Sequence, residues 1–259
     1  MRRYPAERIV CLTEETVETL YLLGEQHRIV GVSGYAVRPP QVRKEKPRIS
    51  SFTSADVPRI VALEPDLVLA FSDIQGPIIP DLARAGLSVH LFNQRDIAGI
   101  LAMIRTLGAL IGCAEKADAL AAKLDARIAD MARETRGRPA RPRVYFEEWD
   151  SPMISAIGWV SELIEIAGGT DIFAELGGKA EARDRIVTSE EVIARAPEVV
   201  IASWCGKKVR IESFKAREGW SAVPAVAAGR IVEIKSPLIL QPGPAALTDG
   251  LDALRAALR

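Results

Sequence analysis

The feature that most constrains this chain is an eleven-residue unit that occurs twice. Ile60-Val61-Ala62-Leu63-Glu64-Pro65-Asp66-Leu67-Val68-Leu69-Ala70 lies over Val192-Ile193-Ala194-Arg195-Ala196-Pro197-Glu198-Val199-Val200-Ile201-Ala202 without a gap. Each copy reads as a short helix stopped before a proline, an acidic residue, and an apolar strand that runs into a loop. The loops are Phe71-Ser72-Asp73 in the first copy and Ser203-Trp204-Cys205 in the second. Helix-strand units of this kind build parallel sheets with helices packed on them. A chain of 259 residues has room for two such lobes of roughly 100 residues each.

The rest of the chain fits that plan. Arg8 to Leu12, Ile29 to Val32, Leu67 to Phe71 and Val89 to Phe92 are short Val-, Ile- and Leu-rich runs, as strands buried on both faces require. Helices are expected over Glu14 to Leu23 and Ile78 to Ala85, with Gly24 and Gly86 as C-caps. From Asp96 to Thr135 the apolar period becomes three and four, through Ile100, Ile104, Leu107 and Leu110 and then Leu120, Leu124, Ile128 and Met131. This predicts one long helix, broken near Gly112 and stopped by Pro139 and Pro142. A second α/β run follows, with strands at Val144 to Glu147, Val199 to Ala202 and Arg230 to Ile234. Its helices are expected at Val160 to Ala167, Ser189 to Ala196 and Ala245 to Leu258. The expected fold class is α/β, with two Rossmann-like lobes, mainly parallel sheets and one long rigid helix joining them. The boundaries are 1–95 for the N-terminal lobe, 96–136 for the linking helix and 137–259 for the C-terminal lobe. Ligands collect beyond the carboxyl ends of strands in open α/β sheets, so the two repeat loops are expected to face one another across a ligand cleft between the lobes.

Thirty-four basic side chains balance thirty-four acidic ones, so no net field draws the surface to nucleic acid or anionic lipid. Neither nucleic acid nor direct membrane insertion is expected, since no stretch reaches the roughly 20 apolar residues of a membrane span. The amino terminus shows no export signal as written, which predicts a cytoplasmic protein, or a periplasmic one if a leader is missing. Cys11, Cys113 and Cys205 are odd in number and widely spaced, against a disulfide framework. His27 and His90 lie near no nucleophile elbow or His-Glu-x-x-His motif, and neither a Walker lysine loop nor a Gly-x-Gly-x-x-Gly fingerprint is present. No enzyme, catalytic residue, metal site or required cofactor is expected.

The order of several short motifs resembles the helix-linked periplasmic binding proteins that serve importers of cobalamin, haem and iron-siderophores. The resemblance rests on Arg8-Ile9-Val10, Glu18-Thr19-Leu20, Leu23-Gly24, Val30-Gly31-Val32-Ser33-Gly34-Tyr35, Pro39-Pro40 and Ile60 to Val68. In the second half it rests on Leu163-Ile164-Glu165-Ile166-Ala167-Gly168-Gly169 and Ser189-Glu190-Glu191-Val192-Ile193. Val30 to Pro40 looks most like the cobalamin-binding branch. The resemblance implies a solute-binding protein for an ABC-type importer, with cobalamin or a related corrinoid as ligand and haem or a ferric siderophore as the alternatives. It also implies one docking glutamate per lobe. Glu190 matches the second, but Pro58 stands at the first and forms no salt bridge with a permease. A cytosolic ligand sensor or carrier no longer coupled to an importer is therefore a second reading.

A flat macrocycle offers broad apolar area, which aromatic side chains cover at small rotamer cost. Tyr35 and Phe52 in the first half and Trp149, Trp159 and Trp204 in the second lie at strand ends or in connecting loops and are ligand candidates; a core role is the alternative for each. Phe52 falls where cobalamin-binding relatives carry Trp. Ser72 and Asp73, with Gln75 and Gly76, follow the first repeat strand. Glu147 closes a strand beside Glu148, Trp149 and Asp150, and alternation puts Glu147 and Trp149 on one face. Cys205 sits between Trp204 and Gly206-Lys207-Lys208, where lysines favour a thiolate; an inert buried thiol is the other reading. The lysines either meet ligand carboxylates or phosphates or face water. Gln241 belongs to the rigid stretch Lys235 to Pro244, expected to form a wall.

Overall fold

The computed structural model describes residues 4–51, 53–137 and 140–259. The chain divides into two compact units, one of residues 4–51, 53–94 and 98–125, the other of 95–97, 126–137 and 140–259. In the first unit, β1 (Ile9–Cys11) leads to α1 (Glu14–Leu22), then β2 (Ile29–Ser33), α2 (Val42–Glu45), β3 (Arg48–Ser50), α3 (Val57–Ala62) and β4 (Leu67–Phe71). α4 (Ser72–Gln75), α5 (Ile79–Arg84) and β5 (Val89–Phe92) complete its sheet. Two helices follow, α6 (Ile97–Leu110) and α7 (Ala114–Thr135). The expected break is real: Gly112 has φ +73°, a value that glycine adopts without strain. α7 runs on from the first unit into the second.

The second unit contains β6 (Arg143–Glu147), the hairpin β7 (Trp149–Asp150) and β8 (Met153–Ile154), α8 (Gly158–Ile166), β9 (Thr170–Asp171), α9 (Ser189–Arg195) and β10 (Val199–Ala202). α10 (Ile211–Lys215), α11 (Pro224–Ala227), β11 (Ile231–Glu233), α12 (Ser236–Ile239) and α13 (Leu251–Ala257) close the chain. The single closing helix expected from Ala245 begins instead as a π-helical turn over Ala246–Gly250. Gly250 passes so close to α12 that a Cβ there would stand 2.4 Å from the Leu238 carbonyl oxygen.

Both sheets are parallel. The first has the order β3-β2-β1-β4-β5 and the second β11-β10-β6-β9, with β7 and β8 forming a separate antiparallel pair. The short strands β3 and β9 lie outside the expected set; a few residues at a sheet edge carry too weak an apolar signal to register. In both orders the connections leave in opposite directions from one central pair, β1/β4 and β6/β10. Those are the topological switch points, where an open parallel sheet leaves a crevice at its carboxyl end.

The sequence repeat is a structural repeat down to its hydrogen bonds. Asp56 caps α3 by accepting from the Arg59 N–H, and Thr188 caps α9 by accepting from the Glu191 N–H. Glu64 and Ala196, each preceding the proline, take φ +47° and +45°. Asp66 accepts from the Arg8 N–H at the start of β1, and Glu198 from the Arg143 N–H at the start of β6. The acidic residue after each proline thus pins the repeat strand to its central neighbour. Pro58 and Glu190 occupy equivalent first-turn positions of α3 and α9, and both are exposed.

Candidate functional site

At the β1/β4 switch point the chain places polar groups where the strands end. Gln75 is fully buried; its Nε2 donates to the Leu12 carbonyl beyond β1 and its Oε1 accepts from the Phe71 N–H of β4. One side chain therefore fixes the two strand ends against each other. Ser72 takes φ +61°, a left-handed conformation that strains a residue with a Cβ. Its hydroxyl accepts from the Ile74 N–H, and it is buried, whereas Asp73 is exposed. Tyr35, two residues beyond β2, is 48% exposed. Phe52 lies outside the described residues.

Two residues of this end were not singled out in the sequence. Glu14 and Glu15 open α1 and are buried, each with one carboxylate oxygen that has no hydrogen-bond partner. Acidic residues in a first helical turn ordinarily complement the helix dipole in water, which is how the pair reads before its burial is known. Burial pushes the Glu14 carboxyl up to about 7. It pushes Glu15 up to about 8, against a 2.6 Å hydrogen bond from the Thr13 hydroxyl.

At the β6/β10 switch point Glu147 is fully buried and accepts four hydrogen bonds. Arg217 donates two, at 2.6 and 2.9 Å, and the Tyr145 hydroxyl and Trp204 Nε1 donate at 3.1 Å. Burial raises the Glu147 carboxyl above its ordinary range, outweighing the opposing pull of Arg217, Tyr145 and Trp204. The guanidinium stands 4.5 Å from the ring centres of both Phe214 and Trp220. Trp204 stacks on Phe214 at 5.9 Å and is 2% exposed. Glu147 and Trp204 therefore hold the carboxyl ends of β6 and β10 together, as Gln75 does for β1 and β4. Arg217 carries no sequence signal, because it lies 70 residues from its partner in a segment without periodicity.

Alternation from the end of β6 into β7 sends Glu147 and Trp149 toward the same aromatic cluster, with Trp149 on its partly buried rim. Glu148 turns away to pair with Arg185, which is 1% exposed, at 2.6 Å. Trp149 donates from Nε1 to the Ser151 carbonyl. Lys207 lies 5.0 Å from the Trp149 ring centre and 4.9 Å from that of Trp204, and it contacts both oxygens of Asp150 at 2.7 and 2.8 Å. Trp159 is not in a connecting loop: it sits in the first turn of α8, 2% exposed, with Nε1 donating to the Ile239 carbonyl. Cys205 is exposed, Gln241 half-buried and Glu190 exposed. A cavity of about 300 Å³ opens beyond β10 and β11, lined by Trp204, Gly206 to Lys208 and Glu233 to Pro237. Among the described residues no three His, Cys, Asp or Glu are grouped to hold a metal ion, and no helix is long and apolar enough to cross a membrane.

Comparison with known proteins places this architecture. The family model described as "Periplasmic binding protein" matches residues 9–238. A cobalamin-binding protein of Halobacterium salinarum is 29% identical over 246 residues, 92% of this chain and 66% of that relative. The chain thus spans just under two thirds of that relative's length. A vitamin B12-binding protein of Vibrio campbellii is 28% identical over 202 residues, 77% of this chain and 71% of the relative. Among solved structures, the periplasmic heme-binding protein RhuT from Roseiflexus sp. RS-1 superposes with a TM-score of 0.83 at 25% identity, covering 98% of this chain and 100% of the other. The periplasmic vitamin B12 binding protein BtuF of Vibrio cholerae superposes with a TM-score of 0.77 at 22% identity, covering 98% and 97%.

Proposed function

Because this chain belongs to the periplasmic binding protein family, we propose that it is a non-catalytic solute-binding protein whose ligand is cobalamin or a related corrinoid. In each unit the solute-contacting surface is the carboxyl end of the sheet. Tyr35 and Asp73 contribute in the first, and Trp149, Cys205 and Gln241 in the second; Ser72, fully buried with its hydroxyl accepting from the Ile74 N–H, supports the first from behind. Glu147 and Trp159 act from behind the second, buried with their polar atoms spent on protein partners, while Trp204 commits its Nε1 to Glu147 and lines the neighbouring cavity.

The observation that carries this reading is the rim at β7. There Trp149, half-buried, stands with Asp150 and the cation of Lys207, which also lines the cavity beyond β10 and β11. An aromatic face flanked by donors and acceptors suits an apolar macrocycle edged with amides. The relatives described as cobalamin- and vitamin B12-binding favour the corrinoid over haem. Titration of the purified protein with cobalamin, cobinamide and haem, followed by tryptophan fluorescence, tests it. Saturable binding of a corrinoid that weakens in Trp149→Ala is expected; no binding of any of the three at millimolar concentration refutes the macrocycle reading.

Pro58 favours a second reading, a ligand carrier or sensor outside transport. It occupies the α3 position equivalent to Glu190 and offers no carboxylate to a permease. If docking on an importer is retained, Glu190→Arg abolishes solute-stimulated ATP hydrolysis by the reconstituted transporter; if it is lost, the native protein stimulates none.

A further inference from the structure

The ammonium groups around the second unit's cavity are more numerous than its fold requires. The turn after β10 is closed by Lys207 donating its N–H to the Trp204 carbonyl, with Gly206 at φ +67°, a conformation only glycine takes easily. The turn therefore delivers Lys207 and Lys208 consecutively to the cavity, and β11 ends by delivering Lys235 to the same space. Two of these cations have carboxylates: Lys207 has Asp150, and Lys235 meets Glu233 at 2.7 Å. Among the described residues Lys208 has no carboxylate within ion-pairing distance, although its charge reaches Glu233. Burial pulls the Glu233 carboxyl up, but bonds from Lys235 and the Val209 N–H, with the charges of Lys235 and Lys208, hold it below its ordinary value. Three cations thus face two carboxylates, leaving one positive charge in excess beside the indole of Trp204 and the ring of Pro237. An ammonium can only donate, and a cavity walled partly by apolar groups strengthens its attraction for an anion over that in open water.

We propose that this cavity is an oxyanion subsite, in which Lys208, supported by Lys207 and Lys235, receives a phosphodiester or carboxylate substituent of the bound solute. The subsite rests on the solute-binding reading and narrows it: a ligand carrying an anionic arm is retained more tightly than the same ring system without one. Lys207 is the fixed member, held by Asp150 against two indoles, and Lys208 is the member whose charge is available. Lys208→Gln keeps a flexible polar side chain, shorter by one atom, at an exposed position and removes the charge.

Two experiments separate this proposal from the function it builds on. The first needs no solute. At matched ionic strength, pyrophosphate raises the melting temperature of the native protein more than sodium chloride does, and the difference disappears in Lys208→Gln and shrinks in Lys235→Gln. An equal response in native protein and both variants, or none in any, overturns the subsite. In the second, cobalamin, which carries a phosphodiester, is compared with cobinamide, which lacks it, and haem with its dimethyl ester. Lys208→Gln is expected to weaken the anionic member of the recognised pair on the order of tenfold, the effect of losing one charge-assisted bond, and to leave its neutral counterpart unchanged. The pair that responds identifies the source of the anion, and equal weakening of both members overturns the proposal. Failure of every macrocycle to bind, with the pyrophosphate effect intact, removes the corrinoid reading and leaves the subsite standing.

Discussion

Replacing Arg217 by Met isolates the energetic role of the carboxylate buried between β6 and β10. Glu147 is fully buried and its partner's side chain is 16% exposed, so removing the guanidinium strips two short bonds from a charge that water cannot reach. Breaking a buried pair from one side costs about 3–5 kcal/mol. An exposed pair such as Arg84 with Asp81, 75% and 63% exposed, contributes under about 1 kcal/mol. At roughly 2–4 °C per kcal/mol for a chain of this size, Arg217→Met lowers the melting temperature on the order of 10 °C, while Arg84→Met changes it little. The pH dependence gives a second handle. The Glu147 carboxyl already sits above its ordinary range, and the variant loses the group that opposed the rise. A folded carboxyl raised above its unfolded value binds protons in the native state. Its stability contribution is complete below the unfolded value and is lost as pH climbs toward the folded one. The deficit of Arg217→Met is therefore larger at pH 8 than at pH 5, and adding Glu147→Gln, which neutralises the stranded group, recovers part of it. Urea titrations at both pH values, followed by tryptophan fluorescence, measure this. A deficit no larger than that of Arg84→Met, equal at both pH values and unrelieved by Glu147→Gln, refutes the reasoning.

Glu15 tests the other switch point: with its carboxyl raised to about 8, native stability falls as pH rises from the ordinary glutamate range through 8, by up to about 4 kcal/mol. Glu15→Gln flattens the curve of melting temperature against pH between 5 and 9, and the same slope in both proteins counts against buried ionisation there. Gly250→Ala pushes a Cβ to within 2.4 Å of the Leu238 carbonyl and costs about 1–3 kcal/mol in urea, whereas Gly178→Ala, which meets nothing within 4 Å, is near neutral. Under native conditions at pH 8 a thiol reagent modifies exposed Cys205 rapidly. Cys11, buried and pushed up to about 12 by that burial, reacts only on unfolding, and rapid labelling of Cys11 in folded protein contradicts its place in the sheet.

The sequence determined the building plan by itself, because the signals involved are local. A helix stopped before Pro65 or Pro197, an acidic residue, and an apolar run bounded by polar loops give helix, turn and buried strand without reference to anything distant. The strand spans Leu67–Phe71, Val89–Phe92 and Val199–Ala202 are those read from sequence. The amphipathic period from residue 96 likewise marked the helical stretch and its break near Gly112, where one expected helix is two, α6 and α7. The candidate surface was half legible: Trp149, Ser72 and Lys207 stand at strand ends because strand ends are local too. Only the tertiary structure decided which polar groups meet. Glu147 joins Arg217 across 70 residues and Gln75 reaches Leu12 across 63, and no periodicity encodes a partner at that distance. Nor could alternation or composition say that Trp204 and Trp159 would turn inward to satisfy their indole N–H groups, or that Glu14 and Glu15 would be buried at a helix start where such residues ordinarily meet water. Burial is a property of what packs against a residue, and it converts the same side chain from a solvated surface group into a structural clamp or a strained carboxylate.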